Sequence, residues 1–224
     1  MTTIQITHPQ LVAALVKPPI DIITSLSPYT ADLWHGATGV AGEAGELLEA
    51  VLFPSDDGEV DRVNLREELG DLYFYIEQLV QRTGIAIDWD AVLELAMNEV
   101  ISPDMLIRHA ASIAVHGSQV LDTVKKAAIY NKDLDAELLR NQLHALLVSM
   151  ATLGIMFSLP RQECLNANIL KLSKRYQSLS YSDAAAQDRA DKRDGQIPER
   201  KFFKGDAEPR TSDMADIAEA EKRA

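Results

Sequence analysis

The chain has 224 residues, enough for one large domain or two small ones with a sizeable core, and its 46% hydrophobic and 25% charged content excludes extensive disorder. With 22 Lys and Arg against 34 Asp and Glu the net charge is −12, so the molecule repels polyanions and no nucleic acid is expected as a partner. A small phosphate ligand neutralised by a metal remains compatible with that charge.

Met1 to Lys17 carries no basic start followed by a long apolar run, and no uncharged stretch reaches about 18 residues, so neither export nor a membrane partner is expected. Pro18-Pro19 separates an N-terminal segment, residues 1–28, from the helical remainder of the chain. From Tyr29 to Tyr176 apolar residues recur three and four apart and alternating runs are nearly absent, which predicts an all-α helical bundle. The expected helices cover 29–53, 62–83, 88–101, 104–131, 135–158 and 161–178. Turn and cap residues punctuate them at Pro54-Ser-Asp-Asp-Gly58, Thr83-Gly84, Ser102-Pro103-Asp104 and Leu159-Pro160. Cys164, the single cysteine, excludes an intramolecular disulfide and fits a reducing cytoplasm. It sits on a helix without an activating base and reads as packing. Beyond Ser180 the pattern gives way to mixed charge with Gly195, Pro198, Gly205 and Pro209, so residues 181–224 read as a charged tail.

The chain also resembles itself. Gly84-Ile85 and Asn98 share the spacing of Gly154-Ile155 and Asn168, and Glu43-Ala-Gly-Glu46 can be laid on Gln119-Val-Leu-Asp122. Residues 29–103 and 104–180 therefore read as two diverged copies of one helical unit.

Glu43 and Glu46 stand three apart on one predicted helix, and Glu68 and Asp71 stand three apart on the next, so each pair shares a face. Such pairs are common on solvated faces. Here, however, the second flanks the core stripe Leu65, Leu69, Leu72 and Ile76, which turns the acids towards the bundle interior. Four carboxylates brought together repel one another unless a cation lies among them, and oxygen-only ligands favour Mg2+, or Mn2+, over zinc. Gly39, Gly42 and Gly45 add a side-chain-free stripe beside the acids, at about 1 kcal/mol each relative to alanine.

Gly42-Glu43-Ala-Gly-Glu46 and, after residues 47–67, Glu68-Leu-Gly-Asp71 resemble the ExxE…ExxD signature of MazG-like pyrophosphohydrolases, and Trp34-His35-Gly-Ala-Thr-Gly39 resembles the segment leading into it. The resemblance implies that Glu43, Glu46, Glu68 and Asp71 bind magnesium and are catalytic. It implies cleavage of a (deoxy)nucleoside triphosphate between its α and β phosphates, giving the monophosphate and pyrophosphate. It also implies assembly as homodimers or dimers of dimers. The fold expected on this basis is two diverged MazG-like four-helix-type repeats, a pseudo-dimer in one chain.

The second copy departs from the signature. Gln119 and Asp122 replace the first acid pair, and either Leu138 and Asn141 or Gln142 and Ala145 replace the second, so this half is not expected to hold a metal. Other similarities lie here, in Lys125-Lys126-Ala-Ala-Ile-Tyr-Asn-Lys132 and in Asn168-Ile-Leu-Lys171-Leu-Ser-Lys-Arg175-Tyr176, which resembles the family's closing helix. The substrate-binding residues so implied are His35, Lys125, Lys126, Lys132, Asn168, Lys171, Arg175 and Tyr176. Trp34, Tyr73, Phe74 and Tyr75 are placed where they could stack on a base or simply fill the core. His109, His116 and His144 have no zinc-ligand spacing and read as ordinary helix residues. Within the superfamily a dUTP, dCTP or phosphoribosyl-ATP pyrophosphatase is an alternative, and outside it a non-catalytic helical scaffold.

Overall fold

The computed structural model describes residues 6–54 and 58–192. Among them the fold is all-helical, with no strand. Two compact units divide the chain, residues 1–170 and 171–224. Ser55, Asp56 and Asp57 of the expected turn cluster and the tail from Arg193 lie outside the described residues. The boundary expected at 103/104 falls inside the first unit.

In the first unit, α1 (His8–Leu15) and α2 (Pro19–Ser25) are short helices within the N-terminal segment, and neither has a buried residue. The centre is built from α3 (Pro28–Leu52), α4 (Arg62–Thr83), α6 (Pro103–Tyr130) and α7 (Ala136–Met156). Helix α3 packs most extensively on α6, α4 packs on α3, and α7 packs on α6. Their ends follow from local chemistry. Ser27 and Thr30 form a capping box in front of α3 with Pro28 in its first turn. Asp61 accepts from the Val63 and Asn64 amides at 2.8 and 3.2 Å to start α4, and Gly84 closes it with a left-handed φ of 70°. Asp135 starts α7 by accepting from Leu138 at 2.9 Å. Helix α5 (Trp89–Asn98) is shorter than expected, because the chain turns extended at Glu99 and Pro103 holds its predecessor out of the helical region. It packs on α7.

Burial repeats in register across the central helices. Leu33, Ala37, Ala44, Leu47 and Val51 of α3 have buried counterparts at the same spacing in His109, Ile113, Val120, Thr123 and Ala127 of α6. Leu65, Leu69, Leu72, Tyr73, Ile76 and Leu79 of α4 are matched likewise by Leu139, Leu143, Leu146, Leu147, Met150 and Leu153 of α7. In the same register the caps Asp61 and Asp135 coincide, and so do Gly84 and Ser158, whose φ of 53° is also left-handed. The first register lays Glu43 on Gln119 and Glu46 on Asp122. The second lays Glu68 on Gln142 and Asp71 on Ala145, which selects one of the two alignments open in the sequence. In that register Gly84 falls on Ser158 and not on Gly154, which lies inside α7 where a Cβ would meet the Leu159 carbonyl oxygen at 2.7 Å.

Helix α8 (Arg161–Arg175) crosses from the first unit into the second. Within the first unit it lies close against α4, because Gly70 offers no side chain: a Cβ there would stand 2.9 Å from the Cys164 carbonyl oxygen. Its buried residues Cys164 and Asn168 have the spacing of Val92 and Ala96 on α5, a register in which Asn168 falls on Ala96 and not on Asn98. In the second unit α8 ends three residues before the expected Ser178. Helix α9 (Asp183–Asp188) and a 3-10 turn (Ala190–Lys192) follow where the sequence pattern fades. Arg175 clamps this unit by donating Nε and Nη2 to the two carboxylate oxygens of Asp191 at 2.7 and 2.8 Å. Among the described residues no single helix is long and apolar enough to cross a membrane.

Candidate metal centre

Helices α3 and α4 pack against each other and bring acids from both together. One carboxylate oxygen from each of Glu43, Glu68 and Asp71 falls within 4.8 Å of the other two. Glu68 is buried, at 8% exposure, while Glu43 and Asp71 are half-buried. Glu46 is exposed and stands outside this set. The sequence expectation of four convergent acids thus holds for three in this arrangement. Three carboxylates this close on partly dry helix faces form an oxygen-only donor set of the kind that hard divalent cations occupy.

A second layer fixes the triad. Asn168 Nδ2 donates to Asp71 Oδ1 at 2.6 Å, and the amide is itself buried. This contact depends on Gly70, because a side chain at that position would lie 3.1 Å from the Asn168 Cβ and push α8 away. Gly39 plays a comparable part on α3: a Cβ there would overlap the Tyr75 ring, which its absence allows to lie close against the helix. Gly42 and Gly45 behave differently, with open space where a Cβ would go, so the stripe of three glycines is packed at one end and open beside the acids.

Beyond Tyr75 a second set of polar contacts joins α3 to α4. His35 meets Tyr75 edge to face, with centroids 5.8 Å apart, and its Nδ1 lies 3.3 Å from Gln78 Nε2. Gln78 donates to Asp32 Oδ1 at 2.6 Å, and Arg82 pairs with the other oxygen of the same carboxylate. Burial works against the charge on Asp32, but the hydrogen bonds from Gln78 and Arg82, aided by the charges of Arg82 and His35, hold its carboxyl below the ordinary value. Asp32, Phe74, Gln78, Arg82, Arg161 and Asn168 belong to the wall of a cavity of about 690 Å³. Asn168 therefore faces this cavity and also touches the triad. Arg161 is held over the Trp89 ring at 3.8 Å and over Tyr73 at 5.5 Å, as cation–π pairs.

Comparison of the chain with protein-family models, with curated proteins and with solved structures gave no match.

The remaining expected site residues lie in several places. Lys125 and Lys126 both pair with Asp122, at 2.5 and 2.8 Å, and hold that carboxyl down to about 2. Lys126 lines a different cavity, to which none of the four acids contributes. Lys132 is exposed just past the end of α6. Lys171, Arg175 and Tyr176 belong to the second unit, where Arg175 is bound to Asp191 and the Tyr176 ring lies 5.8 Å from that of Tyr181. Cys164 is buried, and desolvation raises its thiol to about 11, as suits a packing residue. The sequence pattern does not single out Asp32, Gln78 and Arg82. The spacing of Asp71, Tyr75, Gln78 and Arg82, which follows one face of α4, is the signal that marks the last two.

Proposed function

We propose that the chain is a magnesium-dependent nucleoside triphosphate pyrophosphohydrolase of the MazG-like kind, built as two diverged copies of one helical unit. The observation that carries this reading is the convergence of Glu43, Glu68 and Asp71, anchored by Asn168 beside a cavity of about 690 Å³. Volumes of this order suit a nucleotide-sized ligand. The duplication is supported by the shared burial registers of α3 with α6 and of α4 with α7, and by the exchange that packs α5 on α7 and α8 against α4.

In this reading Glu43, Glu68 and Asp71 hold Mg2+, with Mn2+ as a substitute, and Glu46 stands at the exposed edge to complete the coordination or to orient water. The bound ion would supply neutralisation of phosphate oxygens and acidification of a bound water. Asn168 keeps Asp71 in one rotamer, so the ligand set is ordered before substrate arrives. Arg82 and Arg161 bring positive charge to the cavity, and Phe74 and Tyr73 bring flat surfaces suited to a base. The partner is a nucleoside triphosphate, and a homodimer is the proposed assembly.

Pyrophosphate release from a panel of ribo- and deoxynucleoside triphosphates with Mg2+ tests the activity. Turnover on one or more of them is expected, with loss of at least a hundredfold in Glu68→Gln and Asp71→Asn. Undiminished turnover in both variants removes the site assignment. Inactivity of the wild-type chain across the panel, together with no metal binding, favours the scaffold.

A further inference from the structure

The cavity of about 690 Å³ is lined in part by three side-chain amides, Gln78, Gln81 and Asn168, and a carboxylate turns each of them the same way. Gln78 Nε2 donates to Asp32 Oδ1 at 2.6 Å, Gln81 Nε2 to Glu77 Oε1 at 2.8 Å, and Asn168 Nδ2 to Asp71 Oδ1 at 2.6 Å. An ionised carboxylate only accepts, so the group that meets it has to be the NH2 of the amide, and the carbonyl oxygen is turned from it. Gln78 also places Nε2 3.3 Å from the Asp32 carbonyl oxygen, which occupies its donors further. Among the described residues, none of the three amide carbonyls accepts a hydrogen bond. The amides thus offer the cavity acceptors and keep their donors engaged elsewhere.

The charges of the lining balance, with Arg82 and Arg161 matched by Asp32 and Glu77. Such a wall suits the neutral end of a nucleotide, and Tyr73, Phe74, Leu165 and Ile169 supply apolar surface for a ring. Asn168, bonded to Asp71, marks the end of the cavity nearest the acids. Gln78 and Gln81 lie further along α4, about 10 and 15 Å from Asp71 along its axis, and their three-residue spacing puts them on one face. A nucleotide whose phosphates are held at the triad would bring its base to this stretch.

We propose that Gln78 and Gln81 select a base with an amino group where uracil and hypoxanthine carry a carbonyl, so that cytosine or adenine nucleotides are the substrates. The amino group donates to the amide carbonyls, whereas O4 of uracil or O6 of hypoxanthine would set lone pairs against them and leave them unpaired. Asp32 is the positioning residue behind this choice: with Arg82 on its other oxygen, it fixes which way Gln78 faces. The inference rests on the reading of this site as one for nucleoside triphosphates and names its substrate class.

The test is calorimetric titration of the full chain, with Mg2+, using uncleavable α,β-methylene analogues in two pairs, CTP against UTP and ATP against ITP. The amino-bearing member is expected to bind about tenfold more tightly, or better, in at least one pair and more weakly in neither. Gln78→Leu should bring that ratio below about threefold, and Gln81→Leu should lower it as well. In Asp32→Asn the new amide can donate to the Gln78 carbonyl and free its NH2 for the cavity, which should lower or reverse the ratio. A merely structural role would weaken both members of a pair together and leave their ratio unchanged. Gln81 is exposed, so Gln81→Leu keeps the core intact and decides the matter if Gln78→Leu fails to fold. A ratio below about tenfold in both pairs, a preference for the uridine or inosine analogue in either, or no binding of any of the four overturns the proposal. So does a ratio undiminished in Gln81→Leu or in a folded Gln78→Leu. Pyrophosphate release from the four ordinary triphosphates, measured in parallel, keeps the two readings apart: amino-selective binding without turnover fails the catalytic reading alone, and turnover without that selectivity fails this one alone.

Discussion

Gly70 and Gly42 are both helical glycines beside the acid triad, and they predict opposite outcomes when replaced. A methyl group at Gly70 would lie 2.9 Å from the Cys164 carbonyl oxygen, which is backbone and cannot swing away, and 3.1 Å from the Asn168 Cβ. Gly70→Ala is therefore expected to destabilise by about 1–3 kcal/mol, as overpacking does. By displacing Asn168 from Asp71 it should also weaken Mg2+ binding, read by titration calorimetry. Nothing lies within 4 Å of a Cβ at Gly42, so Gly42→Ala should gain about 0.5–1 kcal/mol from reduced backbone entropy in the unfolded chain, seen as a higher urea midpoint. A loss of stability in Gly42→Ala would show that its neighbourhood is filled in solution.

At the scale of the element, the ends of α4 and α7 depend on one aspartate each. Asp61→Ala and Asp135→Ala should each cost about 1 kcal/mol, since the first-turn amides they accept from lose their partner. Similar costs, measured by urea denaturation, are expected because the two caps occupy equivalent places. The Arg175–Asp191 clamp of the second unit carries a pH dependence. Burial alone would raise the Asp191 carboxyl, but the Arg175 hydrogen bonds and charge outweigh it and bring it below its ordinary 3.8. The stabilisation is then present above 3.8 and lost as pH falls through the lower folded value. Amide NMR signals of residues 176–190 should therefore weaken on acidification in the wild type, with a flatter profile in Asp191→Asn. These elements show what is legible in sequence. Ser27-Pro28, Asp61 and Gly84 announce helix ends by side-chain chemistry that acts locally, so sequence places α3 and α4 within a residue. The acid faces are legible because three-residue spacing on a helix is a geometric fact. Asn168 is legible too, but matching Gly84 to Gly154 by letter pairs it with Asn98, whereas the burial spacing and the left-handed turn at Ser158 pair it with Ala96. The exposure of Glu46, and the Asp32, Gln78 and Arg82 network, depend on how α3 and α4 are rotated against each other, which no local pattern encodes.

For the whole molecule the governing quantity is charge. A chain of net −12 gathers Glu43, Glu68 and Asp71 within 4.8 Å, and a divalent ion bound among them would lower their mutual repulsion. Because the triad is assembled only by folding, binding should couple to stability: at a hundredfold excess over Kd the gain is about 2.7 kcal/mol, or roughly 5–10 °C in Tm for a chain of this size. Scanning calorimetry with Mg2+ and with EDTA should show that difference. General screening of a negative surface would raise Tm too, so the comparison is made at matched ionic strength with NaCl. Asp71→Asn separates the two effects further. Removing one of the three carboxylates should abolish the increment from Mg2+. An increment that survives in both Asp71→Asn and Glu68→Gln would mean that the ion acts on surface charge at large and that the triad is not its site.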